Sequence, residues 1–238
     1  MLFISPPFGN YLTFFPNTIP IKGSYTTKPR AGLIPQIINT LQYSTYYKGW
    51  INRIGLRNPG IDYGISKYSK KSEQVLSIAI MKNEDIEYFY KKIPKDYNLE
   101  INISCPNVKS LCSHETTNIF LNEERKWCII KLSPLDSYRK IDSLYKSGFR
   151  QFHCCNTYPL KLGGLSGPFL RPFVEDKIKY IKKKYKDVEI IAGGGIQDID
   201  TLTRYKNLGA DHFSISSLCF HPFKFTRFYF NYLREKQI

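Results

Sequence analysis

The stretch Glu100-Ile101-Asn102-Ile103-Ser104-Cys105-Pro106-Asn107-Val108 gathers two carboxamides and a thiol within a few positions. An amide offers donors and acceptors in a fixed plane, and a thiol takes up a proton once its pKa is brought down toward neutrality. Leu99, Ile101 and Ile103 alternate with polar positions at the period of a strand. Pro106 cannot continue a ladder. A strand end and the turn after it therefore deliver Asn102, Cys105 and Asn107 to one place. Alone, the stretch reads as well as a strand end with turn-forming asparagines and a small buried cysteine, so its surroundings decide.

Other apolar runs close on groups of the same kind. Residues 18–22 end in Lys22, residues 127–132 carry Lys131, and residues 149–155 lead into Asn156-Thr157. Residues 49–54 pass through Asn52 into Gly55-Leu56. Lysine in so apolar a strand is costly to bury without an anionic partner, and two at ends facing one mouth make a charge site. Backbone chemistry collects later in the chain. Gly193-Gly194-Gly195-Ile196, with Asp198 placed to cap the next helix, exposes N–H groups where no side chain blocks an anion. Ser216-Ser217 ends another run, and Gly163-Gly164-Leu165-Ser166-Gly167 adds a third flexible backbone segment. Together they predict a phosphorylated cofactor with its tail at these loops and its ring facing Lys22 and Lys131.

Eight short apolar runs must position these groups: residues 18–22, 49–54, 75–81, 99–104, 127–132, 149–155, 188–192 and 212–216. Asn83-Glu84-Asp85 opens a helix with Ile86, Phe89 and Tyr90 on one face. Another helix covers roughly 137–146 and is closed by Gly148. Residues 1–17, rich in Pro, Phe and Gly, read as an irregular surface or barrel-bottom segment. Strands apolar on both faces, alternating with helices, are the signature of an α/β fold with a covered parallel sheet. Eight such units close into a (β/α)8 TIM barrel, here one domain over residues 1–238. Chemistry in that fold belongs at the C-terminal strand ends, where the groups above fall.

At 238 residues and 42% hydrophobic the chain buries a full-sized core, and 15% aromatic content argues against disorder. The formal charge of +15 attracts polyanions. Much of it is lysine in solvent-face positions such as Lys67, Lys70, Lys91 and Lys92, with no compact Arg-rich run, so a small anionic substrate is expected rather than nucleic acid. None of the six cysteines forms a C-x-x-C pair, which removes the metal-clip and thioredoxin readings. Cys128, Cys154, Cys155 and Cys219 lie in strand-like segments and read as small buried hydrophobes. His114, His153, His212 and His221 show no metal spacing and no evident Asp partner, so they read as structural or surface groups, and no metal is expected. No basic-plus-apolar leader precedes Ile4 and no run approaches membrane-spanning length. The expectation is a reduced, soluble, cytoplasmic protein.

The motifs now resemble a known family. Asn102-Ile103-Ser104-Cys105-Pro106-Asn107, Lys131-Leu132-Ser133-Pro134, Asn156-Thr157, the 163–167 glycine segment and Gly193-Gly194-Gly195-Ile196 are similar, in that order, to the motifs of dihydroorotate dehydrogenases. Lys22-Gly23-Ser24-Tyr25-Thr26-Thr27-Lys28-Pro29-Arg30 and Asn52-Arg53-Ile54-Gly55-Leu56-Arg57-Asn58 resemble that family's first two barrel loops. The similarity runs from about residue 5 to 220. It implies FMN-dependent oxidation of (S)-dihydroorotate to orotate in de novo pyrimidine (UMP) biosynthesis. By the resemblance, Cys105 would remove the C5 proton, as in the cysteine-using soluble class, and hydride from C6 would pass to flavin N5. Asn52, Asn102, Asn107, Asn156 and Thr157, with backbone N–H groups at Gly55 and Leu56, would hold the substrate carboxylate and ring amides. Lys131 would stabilise negative charge on reduced flavin, and Lys22 would lie against flavin and substrate. Ser24 and Asn102 would count among the flavin contacts, and Gly167, Gly194, Gly195, Ser216 and Ser217 would bind its phosphate.

The chain departs from that family in its loops, which are short after strands two, four and six. Residues 108–125 are compact where the family carries a Gly/Pro-rich lid, only seven residues separate Thr157 from Leu165, and Ser216 stands where glycine is usual. These changes bear on substrate closure, and on the homodimer the resemblance admits, more than on flavin binding. The electron acceptor stays open among fumarate, a quinone and a nicotinamide reached through a partner iron–sulfur flavoprotein. Two other readings stay open: a related FMN barrel reducing uracil or a tRNA uridine, and a degenerate barrel that binds flavin without turnover.

Overall fold

A computed structural model describes residues 1–70, 72–103 and 114–235 of the chain. Eight strands form a closed parallel barrel: β1 (Leu2–Ile4), β2 (Thr18–Tyr25), β3 (Val75–Ala79), β4 (Leu99–Asn102), β5 (Cys128–Leu132), β6 (Gln151–Cys154), β7 (Glu189–Gly193) and β8 (His212–Ile215). Each pairs with its neighbours in chain order, and β1 closes the ring against β8. Among the described residues no helix is long and apolar enough to cross a membrane.

One segment expected to be irregular becomes a barrel strand, and one expected barrel strand is reassigned. Leu2–Ile4, in a segment that reads as irregular, is a barrel strand, with Leu2 opposite both Phe213 and Thr18. Three residues ahead of a Pro-Pro turn are too few to display a period. Gly49–Asn52 is a strand, yet it lies outside the barrel. It sits in a four-stranded antiparallel sheet between Gln42–Ser44 and Gly163–Ser166, with Tyr158–Leu160 at the far edge. Its residues alternate between buried and half-buried, whereas Cys128–Leu132 is buried throughout. Burial of one face marks an antiparallel sheet, and burial of both marks a covered parallel one. The 163–166 segment, expected as flexible backbone, is thus a paired strand.

Close approach of these strands depends on glycine. A Cβ at Gly49 would fall inside the van der Waals envelope of the Ser166 carbonyl oxygen. Gly49→Ala must part the two strands, at an expected cost of about 2 kcal/mol. Thermal unfolding should show a midpoint lowered by roughly 5 °C; an unchanged midpoint would mean that the sheet separates without penalty.

The helices follow their patterns with one exception. Asn83–Lys92 buries Ile86 and Phe89, but Tyr90 stays 48% exposed. Tyr138–Lys146 starts at Ser137, whose side chain accepts from the Lys140 N–H, and stops ahead of Gly148 at φ +104°.

Alternation along the strands sorts the barrel interior into layers. Phe3, Ile21, Val75, Trp127, Ile129 and Ile191 belong to an apolar cluster distinct from the larger core beneath the helices. Two positions further along the same strands come Ser5, Ser77, Lys131 and Gly193. The strands are therefore not apolar on both faces to their ends: the inner face turns polar one layer above its apolar floor.

Candidate active site

The polar layer is built on Glu100. It shares the inward face of β4 with Asn102, two positions on, and is completely buried. The registers Ser77↔Glu100, Asn102↔Lys131 and Lys131↔His153 bring partners from three neighbouring strands against it. Ser77 Oγ donates to Glu100 Oε1 at 2.8 Å, and the Lys131 ammonium stands 3.3 Å from the same oxygen. His153 Nδ1 lies 2.6 Å from Oε2. Burial by itself would push the Glu100 carboxyl up; the Lys131 charge, then the charge His153 carries when protonated and the bonds from His153 and Ser77, outweigh it and hold the group at about 2. Burial, then the Lys131 charge, lower His153. The ring is accordingly neutral at pH 7 and donates through Nδ1–H to an ionised carboxylate.

A second line of bonds leads from this layer to the mouth. Ser24 Oγ is 2.7 Å from Ser77 Oγ and receives the Asn102 Nδ2 donor at 3.2 Å. Asn102 Oδ1 accepts from Asn156 Nδ2 at 3.1 Å, and Asn156 Oδ1 accepts the Thr157 N–H at 2.9 Å. Ser24 is fixed from below, because Asn10 bonds both the N–H and the C=O of Gly23. Ser24, Asn102, Asn156 and Thr157 thus form one hydrogen-bonded line from the end of β2 to the loop after β6, beside Lys131.

Lys131, Asn156 and Thr157 line a cavity together with Gly167, Gly194, Gly195, Ser216 and Ser217. Gly167, Gly194 and Gly195 have φ of +114°, +109° and +80°, in the region that favours glycine. A Cβ at Gly195 would stand 2.7 Å from Arg171 Cγ, so main chain rather than side chain faces the space. Arg171 Nε donates to the Gly195 carbonyl at 2.9 Å, which sets a guanidinium beside the loop. Asp198 caps the next helix as its spacing predicts, accepting from Thr201 N. The Ser216 hydroxyl is bonded to the Pro6 carbonyl at 3.0 Å.

Among the other expected site residues, Lys22, Asn52, Gly55 and Leu56 do not line this cavity. Lys22 is half-buried on β2, where burial lowers its pKa, and it does not line this cavity. Asn52 pairs with Gly164 in the side sheet. Gly55 and Leu56 follow at φ +68° and +57°, their carbonyls taken by Arg30 Nε and Asn58 Nδ2. Cys105 and Asn107 fall outside the described residues. Burial drives Cys128, Cys155 and Cys219 up to about 12 and Cys154 higher still, so none of these four is a base at neutral pH. Cys219 occupies a single 3-10 turn rather than a strand.

Sequence reasoning left Glu100, Ser77 and His153 without roles. The anionic partner that a buried Lys131 demands is Glu100 itself, and the inward period it shares with Asn102 is the signal that could have found it. His153 does have a carboxylate partner, but one 53 positions away.

The match to known proteins is broad. A model of the dihydroorotate dehydrogenase family matches residues 18–148. The catalytic subunit of dihydroorotate dehydrogenase B (NAD(+)) from Staphylococcus carnosus is 30% identical over 204 residues, which cover 72% of this chain and 67% of that protein. Its counterpart from Thermotoga maritima is 28% identical over 197 residues, covering 71% and 72%. The crystal structure of DHODH from Eimeria tenella in complex with ferulenol superposes with a TM-score of 0.69 at 20% identity, over 91% of this chain and 75% of that one, and shares the barrel fold.

Proposed function

The chain belongs to the dihydroorotate dehydrogenase family, and from that premise we propose that it oxidises (S)-dihydroorotate to orotate with FMN as cofactor and Cys105 as base. The family's members are flavin-dependent oxidoreductases that act on a CH–CH bond in pyrimidine biosynthesis. One observation carries the finer reading: the bonded line Ser24, Asn102, Asn156 and Thr157 runs beside Lys131 into a cavity floored by glycine backbone.

The residues present fit FMN. Main-chain N–H groups at a glycine loop, with a guanidinium nearby, suit a phosphate. Gly167, Gly194, Gly195, Ser216 and Ser217 would hold it, and Lys22, Ser24, Asn102 and Lys131 would hold the ring. When bound, FMN supplies an acceptor for the hydride that leaves C6. The chain's own part is to bind and to move a proton. Asn52, Asn102, Asn107, Asn156 and Thr157, with the N–H groups of Gly55 and Leu56, orient the substrate carboxylate and ring amides. Cys105 takes the C5 proton, and the electron pair of the broken C5–H bond becomes the C5=C6 double bond of orotate as the hydride leaves C6. Lys131 offsets the negative charge that gathers beside it. The relatives' name specifies NAD(+), which is therefore the final acceptor to test first on this chain.

Anaerobic mixing of the purified protein with dihydroorotate, following visible flavin absorbance, tests the proposal. Rapid bleaching is expected. A yellow protein that stays yellow would point to another pyrimidine, and a colourless protein that cannot be loaded with FMN would overturn the reading.

A further inference from the structure

We propose that His153 is a positioning residue of the flavin site, acting through Glu100 to set where the Lys131 charge stands. The inference rests on the flavin reading above and concerns three residues of the chain itself. His153 is 2% exposed and lines the same cavity as Lys131 and Gly194. Its Nδ1–H holds one oxygen of Glu100 at 2.6 Å, while Ser77 and Lys131 share the other. The carboxylate is thereby divided. Lys131 stands 3.3 Å from its oxygen, beyond the ~2.8 Å of a fully formed charged hydrogen bond. The ammonium is tethered to Glu100 without being drawn fully onto it.

Room for the imidazole is built into the neighbouring strand. A Cβ at Gly193 would collide with His153 Nε2, so glycine at that position is what lets the ring approach β7 this closely. With Nδ1 committed to Glu100, Nε2 is the acceptor edge of the ring. Removing the imidazole would leave the buried Oε2 without its donor. The carboxylate would then turn both oxygens to Lys131 and pull the ammonium away from the cavity. A flavin beside it would lose stabilisation of the charge it gains on reduction.

The test compares His153→Leu, which removes the donor, with His153→Asn, whose amide can reproduce Nδ1–H. In flavin-loaded protein the equilibrium constant for two-electron reduction should fall about tenfold in His153→Leu, a midpoint about 30 mV more negative. It should return to within threefold of the parent in His153→Asn. Should the leucine variant fail to fold, His153→Ala removes the donor without adding bulk and carries the same comparison. An unshifted midpoint in a loaded variant, or no recovery with asparagine, overturns the inference and leaves the flavin reading standing. A parent chain that takes up no flavin overturns that reading. In the flavin-free protein, ring-nitrogen NMR of His153 should report the Nδ1–H tautomer; the Nε2–H tautomer would overturn the inference whether or not flavin binds.

Discussion

Replacing Cys105 by alanine is expected to slow flavin bleaching by dihydroorotate about a thousandfold while leaving the visible flavin spectrum intact. A positioned general base contributes some 10²–10⁴ to a rate, and alanine removes the base without adding bulk. No other described cysteine can stand in, because burial holds Cys128, Cys154, Cys155 and Cys219 in the thiol form. A thiol works as a base only where a cation or donors lower its pKa. Cys105 lies three positions after Asn102 in the sequence, and Asn102 closes β4 in register with Lys131. Stopped-flow reduction and a flavin spectrum of one preparation separate the outcomes. An unchanged rate would assign the proton to another group, and equal loss of rate and bound flavin would make Cys105 a structural residue.

What the sequence made legible follows from the range of the interactions involved. Asn102, Lys131 and Asn156 are readable because each falls at or just past the C-terminal end of an apolar strand, and the fold rule for barrels then sends all three to one mouth. The misplacement of Gly49–Asn52 has the opposite origin. Gly-Trp-Ile-Asn has the composition of a strand, but only its alternate burial, visible once Gly163–Ser166 is paired to it, shows that it covers the barrel rather than forming it. Leu2–Ile4 gains its identity wholly from Phe213 and Thr18 at the far end and the near end of the chain. The charge centre was half legible. A buried lysine announces that a partner exists, but Glu100, Ser77 and His153 converge through lateral registers between strands, which no local pattern encodes.

That convergence makes Glu100 the most sensitive position of the barrel interior. Glu100→Gln keeps the volume but turns one acceptor oxygen into an N–H donor, so it can accept from only one of Ser77 and His153, and it removes the charge that compensates Lys131, which is only 8% exposed. Breaking a buried pair by neutralising one partner costs about 3–5 kcal/mol, since the remaining charge stays desolvated and loses its carboxylate. Urea unfolding at pH 7 should show a loss of that size, and adding Lys131→Met should restore part of it because both charges then leave together. The acid dependence has a fixed sign. Glu100 titrates at about 2 in the folded chain against an ordinary 4.5, so its contribution is complete above about pH 4.5 and is lost as pH falls toward 2. The gap between parent and Glu100→Gln should therefore close across that window, where the parent carboxyl becomes as neutral as the amide. Equal stability of the two proteins at pH 7 would mean that Lys131 is compensated from the cavity side, and the division of the Glu100 carboxylate would lose its energetic basis.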